Sequence, residues 1–514
     1  MFKSMNKTTK KIMALLCLVM LSVSLFAQIA ENQKELTVII AESEIDLNPH
    51  TSSYSNEAQL LSALYEGLFT YNPITLKPEN GLVSSYKISR DKKTWTFTLR
   101  DDVFFSDGTP ITAQSIKDSW LSLLALGNDA PYASLLDCIK GAAAFRKGEG
   151  SADDVKLIVS DNKLTVRLTT PMTYFDRVLC HHAFSAVPKD ANVYSGAYVL
   201  DSVTDKEIHM SKNPRFYGAE HVYIPSIKII LSDDSDENTY LFNTGKANWL
   251  MDGINSNKIY NQEALYDSVL FGTQYLFFSL HGGPLENSLV RNALLSAVPW
   301  DDIRLIYNIP ADTLVFPITD YPSIPGIGDT DLELSKELLE EAGYHNGGFS
   351  VTFEISDNDL LTYLADELQK AWEPLNVELK IKKKSVYSFY NIDYTKSDIF
   401  LYSWIGDFSD PITFLELFKS DSNLNVANWK NEKYDKLLEE ANMLTDQIKR
   451  YEKLAEAEQL LLDDGILLPL CHLITQNCID LTELGGWFPN ALDMHPFKYM
   501  FFREQEPTLS NWDL

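Results

Sequence analysis

The period of hydrophobic and polar positions changes several times along the chain, and each change predicts an element. Leu36-Thr37-Val38-Ile39-Ile40-Ala41 is a β-branched apolar run, the pattern of a buried strand. After a polar loop, Leu60, Leu61, Leu64 and Tyr65 recur at helical spacing, with Asn56 as the expected cap and Gly67 as the expected left-handed stop. Strand patterns then run from 69 to 99, ending in Trp95, Phe97 and Leu99 alternating with threonines, so that one face is apolar. Asp107-Gly108-Thr109-Pro110 turns the chain, and Thr112 caps a helix with Ile116, Trp120, Leu123 and Leu124 on one side. Residues 156–160 and 163–168 form a hairpin around Asp161-Asn162.

From Ser195 the pattern changes to longer strands, at 195–200, 207–210, 227–231 and 275–280. Helical periods at 289–298, 331–342 and 360–372 then alternate with strands at 350–355, 377–381 and 398–402, which predicts an α/β unit with a largely parallel sheet. Helices follow at 432–443 and 447–462, the second stopped by Gly465. Residues 466–470 carry the chain back toward the first unit, where the aromatic tail 487–502 packs. The first unit is thus visited three times.

Composition narrows the class. A chain of 514 residues with 45% hydrophobic content can bury large cores. Residues 1–27 carry Lys3, Lys7, Lys10 and Lys11, then the apolar run 12–26, then Ala27: the layout of a secretory signal peptide, too short to be read first as a membrane anchor. Cys17 lies inside the apolar run, which favours plain export over a lipid anchor. The net charge of -28 is a poor surface for nucleic acid, whose binding requires Lys and Arg on phosphates. Cys138, Cys180, Cys471 and Cys478 lie outside that leader; the last two, seven apart in one strand, point to opposite faces and do not bridge, whereas Cys138 with Cys180 stays open. Catalytic and metal chemistry find no footing. His181-His182 has no partner at ligand spacing, Asp234 to Asn238 reads as a helix start rather than a calcium loop, and His281-Gly282-Gly283-Pro284 has no nucleophile motif beside it. No enzyme activity, cofactor or metal is expected.

The most informative stretch is Ser403-Trp404-Ile405-Gly406-Asp407-Phe408-Ser409-Asp410-Pro411, where the apolar run 399–402 meets a Gly-broken turn bearing an aromatic and two carboxylates. On local chemistry alone Trp404 reads as core and Asp407 and Asp410 as turn formers. The wider stretch WIGDFSDPITFLELFKSDSNLNVANWKNEKYDKLLEEAN resembles the oligopeptide- and dipeptide-binding proteins of bacterial ABC importers, extracellular solute-binding protein family 5. LNPH at 47–50, LYEGLF at 64–69, WTFTLRDDVFFSDGTPITAQSIKDSW at 95–120, SGAYVL at 195–200, LVRNALLSAV at 289–298 and SKELLEEAGY at 335–344 follow the same family in the same order.

That resemblance implies an α/β fold of the type II periplasmic binding protein kind: two hinged lobes and an extra α+β domain. The expected division is a signal peptide at 1–27, a discontinuous lobe I at 28–61, 190–273 and 470–514, an appended α+β domain II at 62–189, and an α/β lobe III at 274–469. The implied function is a monomeric periplasmic receptor that takes peptides as extended strands and passes them to ABC transporter permease subunits. In the family's motif the acid three residues after the tryptophan takes the ligand's amino group. Here that acid is Asp407, with Trp404 as an apolar wall or a ring face near the cation. The best-known members carry an arginine three residues before this tryptophan for the carboxyl end of short ligands; this chain has Leu401, and Lys382, Lys383 and Lys384 stand nearby. Peptide length is therefore open, as is a non-peptide solute such as a nickel chelate, haem or an oligosaccharide on the same scaffold. An exported chaperone or adhesin using the groove is the alternative of another class.

Overall fold

Long apolar and β-branched runs place ten strands in one sheet. In chain order these are β1 (Leu36–Ile40), β2 (Tyr198–Val203), β3 (Glu207–Lys212), β4 (Ser226–Leu231), β5 (Trp249–Leu250), β6 (Leu265–Phe278), β7 (Phe349–Ser356), β8 (Val377–Lys384), β9 (Ile399–Ile405) and β10 (Leu467–Ile479). The computed structural model describes residues 35–42, 45–328, 330–384 and 392–505. The leader read at 1–27, with Cys17 in it, lies outside the described residues.

The spatial order is β8-β7-β9-β6-β10-β5-β1-β4-β3-β2. At its centre β6 and β10 run antiparallel from Leu265↔Cys478 to Phe277↔Leu467, with register shifts between Val269 and Thr273 and between Gln274 and Tyr275. The sheet is mixed rather than largely parallel. β7 pairs parallel with β8 and β9, but β6 runs antiparallel to both of its neighbours, β9 and β10. On the far side β1 pairs parallel with β4 and β5.

Residues 83–167 build a separate four-stranded antiparallel sheet. Its Thr94–Leu99 strand buries Trp95, Phe97 and Leu99 against the helix Ala113–Ala125, whose Ile116, Trp120, Leu123 and Leu124 are buried. Thr112 caps that helix by accepting from the Ser115 amide at 3.3 Å. The predicted hairpin turns at Asp161, φ +51°. Asp234 caps the helix Ser235–Asn243, as its sequence pattern suggested.

Two local readings change. The helix Ser55–Leu64 begins two residues earlier than expected, with Tyr54 as cap and Asn56 instead donating to Asp252 at 3.0 Å. It also stops before Gly67, which is not left-handed. A Cβ there would lie 2.9 Å from the Phe69 carbonyl, so the glycine serves close approach. Next to it, Glu66 is buried and accepts from Lys498 at 2.9 and 3.0 Å, tying the LYEGL turn to the C-terminal segment. The aromatic tail packs as expected: Trp487, Phe497 and Phe502 share a core with β1 and the 55–64 helix. All four described cysteines are free thiols, Cys138 and Cys180 included.

Behind the turn that follows β9, Asp410 is held by Arg450 of the helix Gln447–Asp463 through paired bonds of 2.7 and 2.8 Å, both side chains buried. The guanidinium also lies 4.2 Å from the ring centre of Tyr174. Arg450→Met alone strands a buried carboxylate and is expected to cost about 3–5 kcal/mol in urea unfolding, while adding Asp410→Leu restores most of it. A single variant as stable as the parent would mean that the pair does not hold this turn.

Candidate ligand-binding site

β9 is a mostly apolar strand whose two edges are covered to different extents. It pairs with β6 along its whole length, from Phe278↔Ile399 to Gly272↔Ile405, whereas β7 covers its other edge only at Ile399 and Phe400. Past that point residues 401–405 have no strand on their second edge among the described residues. Trp404 therefore lies in the strand, not in the loop that its sequence pattern suggested. It stacks on Tyr402, ring centres 6.3 Å apart. The strand ends at Gly406, where a Cβ would come within 2.5 Å of the Phe271 ring. This close approach turns Asp407 inward.

Asp407 is anchored through Thr413, whose hydroxyl accepts from the Asp407 amide at 3.0 Å and donates to the carboxylate at 3.1 Å. Tyr132 also hydrogen-bonds the carboxylate, and the Tyr71 hydroxyl donates to the Asp407 carbonyl. Trp404 and Asp407 line one cavity of about 390 Å³, within the range of small-ligand sites. Its walls come from distant parts of the chain: residues 53–62, Tyr132 with His181 and His182, β9 and its turn, and Leu473 with Met494.

The electrostatics of this carboxylate are unusual. Only a tenth of the Asp407 side chain is exposed. Burial, opposed by the Thr413 and Tyr132 hydrogen bonds, pushes it up from 3.8 to about 7. His181 Nε2 is 3.7 Å away, but burial and the neighbouring His182 hold His181 well below 6.5, so it is a neutral neighbour and not a counter-ion. Asp410, the other acid of the turn, faces Arg450 instead and does not line the cavity. Trp404 Nε1 and His182 Nε2 are buried without a hydrogen-bond partner among the described residues.

The three lysines singled out near this site are committed elsewhere. Lys382 donates to the Lys396 carbonyl and Ser397, Lys383 pairs with Asp357 at 2.9 Å, and Lys384 with Glu354 at 2.5 Å. Sequence reasoning did not reach Tyr132, Tyr71 or Thr413, and weighed His181-His182 only as a metal pair. No local pattern marks these residues, because what unites them is position around Asp407.

Over residues 77–425 the chain matches the model of bacterial extracellular solute-binding proteins, family 5 Middle, which is well over half its length. The chain belongs to this family. Among curated relatives of this family 5 protein, the oligopeptide-binding protein OppA of Bacillus subtilis is 26% identical, covering 89% of this chain and 90% of the relative. The periplasmic oligopeptide-binding protein OppA of Escherichia coli is 27% identical, covering 88% and 90%. The fold agrees with that of the murein tripeptide-binding protein MppA of Escherichia coli, at TM-score 0.81 and 23% identity over 92% of this chain and 99% of that one. Haemophilus influenzae OppA in complex with RPPGFSPFR gives TM-score 0.82 at 21% identity over 92% and 99%. These relatives are binding proteins, not enzymes. Among the described residues no helix is long and apolar enough to cross a membrane.

The Asp407 carboxyl titrates near 3.8 when unfolded and near 7 when folded, so between these values the folded state holds the extra proton and loses stability as pH rises. Asp407→Asn is expected to raise the melting temperature of the empty family 5 protein at pH 8, by an amount that shrinks toward pH 4. Equal melting temperatures at pH 8 would contradict a buried carboxylate without a counter-charge.

Proposed function

We propose that this protein is an exported, periplasmic receptor that captures peptides by their amino end and delivers them to an ABC transporter permease, as a monomer and without chemistry on the ligand. The observation that carries this reading is the placement of an uncompensated buried carboxylate at the end of a strand whose second edge is open. A protonated amine is the natural complement of Asp407, since either charge buried alone is costly and the pair is not. With its amine there, an extended ligand would run antiparallel to β9 from Ile405 back toward Leu401. Five residues of edge at about 3.4 Å each offer roughly 17 Å for main-chain hydrogen bonds that ignore side-chain identity. The relatives' names, oligopeptide-binding and murein tripeptide-binding, support the same class.

In this reading the two halves of the main sheet belong to lobes I and III, residues 62–189 form the appended domain, and the crossing strands β6 and β10 form the hinge. The register shifts at 269–275 sit where such a hinge would flex.

Protein purified without added ligand, denatured and analysed by mass spectrometry, is expected to release a mixture of short peptides with free amino termini. Titration of the emptied protein should then show binding that weakens by up to tenfold per pH unit below about 7, as Asp407 takes up its proton. N-acetylation of the peptide, or Asp407→Asn, should weaken binding at least a hundredfold. Reproducible release of one non-peptide solute, or unchanged affinity for acetylated peptides, would overturn the proposal.

A further inference from the structure

The cavity's inventory of charge says more than that a cation is taken. Among its described lining residues Asp407 is the one formally charged side chain; His181 and His182 are held neutral by burial, and no lysine or arginine reaches the wall. Basic side chains near these walls have partners, Lys396 lying 3.7 Å from Asp393. Arg450 pairs with Asp410, Arg177 donates to the Ser409 carbonyl at 2.7 Å, and Lys384 pairs with Glu354.

The end of the open edge farthest from Asp407 is uncharged among the described residues. Leu401 and Ile392 form the wall there and also line a small adjoining crevice that Lys384 borders from its ion pair with Glu354. A carboxylate drawn into this end would be desolvated beside the neutral hydroxyls of Tyr54, Tyr394 and Tyr402, with no cation among the described lining residues to receive it. The whole molecule adds to the bias, since a formal net charge of -28 repels anions as they approach.

We propose that the cavity accepts a ligand end that is a monocation: one to three amino-terminal residues with uncharged side chains, the ligand's carboxylate being left outside. This rests on the peptide-receptor reading and adds the ligand class to it. The site would favour peptides long enough to carry their carboxyl group out of the cavity, or short ones whose carboxyl group is blocked. Acidic side chains at the first positions would be rejected for the same reason as the carboxylate, while Tyr402, Trp404 and Met494 offer apolar surface to aliphatic and aromatic ones.

The test is calorimetric titration of the emptied protein at pH 7.5 with Leu-Phe-Leu as the free acid, Leu-Phe-Leu as the amide, and the free acid Leu-Phe-Leu-Gly-Ser-Gly. The amide is expected to bind at least tenfold more tightly than the tripeptide acid, and the hexapeptide acid to come within threefold of the amide. Leu401→Lys, which puts a cation at the far end of the edge, should raise affinity for the tripeptide acid at least tenfold and leave the amide unimproved. A tripeptide acid that binds as well as its amide, or a hexapeptide no better than the tripeptide acid, would overturn the proposal even if the variant does not fold. N-acetylated hexapeptide serves as the separate control. If it binds as well as its parent, or if no peptide binds, the receptor reading itself fails; equality of acid and amide sinks only the claim about the carboxylate.

Discussion

The antiparallel pairing of β6 with β10 is the constraint on which the rest of the molecule hangs. These two long strands lie next to each other at the centre of the ten-stranded sheet. On one side they are extended by β9, β7 and β8, on the other by β5, β1 and the antiparallel strands 198–231. Ladder hydrogen bonds are indifferent to side-chain identity, so the seam can be long and still carry different residues on each half. Its register shifts disturb the ladder at 269–275, opposite the part of β9 that ends in the cavity. The strand that joins the two halves is thus also the one that presents β9.

Charge is handled in two ways on this scaffold. Glu458 is held without a cation by the backbone amides of Leu314 and Val315 and the Tyr321 hydroxyl, while other buried acids have one: Asp410 with Arg450, Glu66 with Lys498, Asp137 with Arg146. Such pairs offset their desolvation only with good geometry, and here the geometry is close and bidentate or nearly so. Asp407 differs in having only hydroxyls and a neutral imidazole around it. Burial without a counter-ion is unfavourable for the empty protein, and the same unfavourable state makes an incoming cation welcome.

Contacts between the middle segment and the β9 turn hold that residue in place. Tyr71 donates to the Asp407 carbonyl, Arg177 to the Ser409 carbonyl, and Arg146 reaches both the Asn423 side chain and the Asp421 carbonyl. Asn423 in turn donates to the carbonyls of Gly127 and Ala130. These bonds join residues more than two hundred positions apart, and they explain why the wall of the cavity opposite β9 is made of Tyr132, His181 and His182.

Elements whose causes are local were legible in the chain itself. The alternation of Trp95, Phe97 and Leu99, the caps at Thr112 and Asp234, the turn at Asp161 and the helix ended by Gly465 at φ +65° depend on neighbours within a few residues. The ordered family motifs carried the fold class as well. The direction of the strands beside β6 was not legible, because parallel and antiparallel partners ask for the same apolar runs. Nor did local chemistry separate Asp407 from Asp410, the same side chain three residues apart in one turn; only the family motif singled out Asp407. Which of them is neutralised is decided by Arg450, forty positions away in sequence and 2.7 Å away in space. The open edge of β9 is likewise a matter of where β7 stops. Periodicity reports what a residue's neighbours require of the backbone, whereas an unpaired charge or an unpaired edge is defined by a partner that is missing, and only the tertiary structure says which partners arrive.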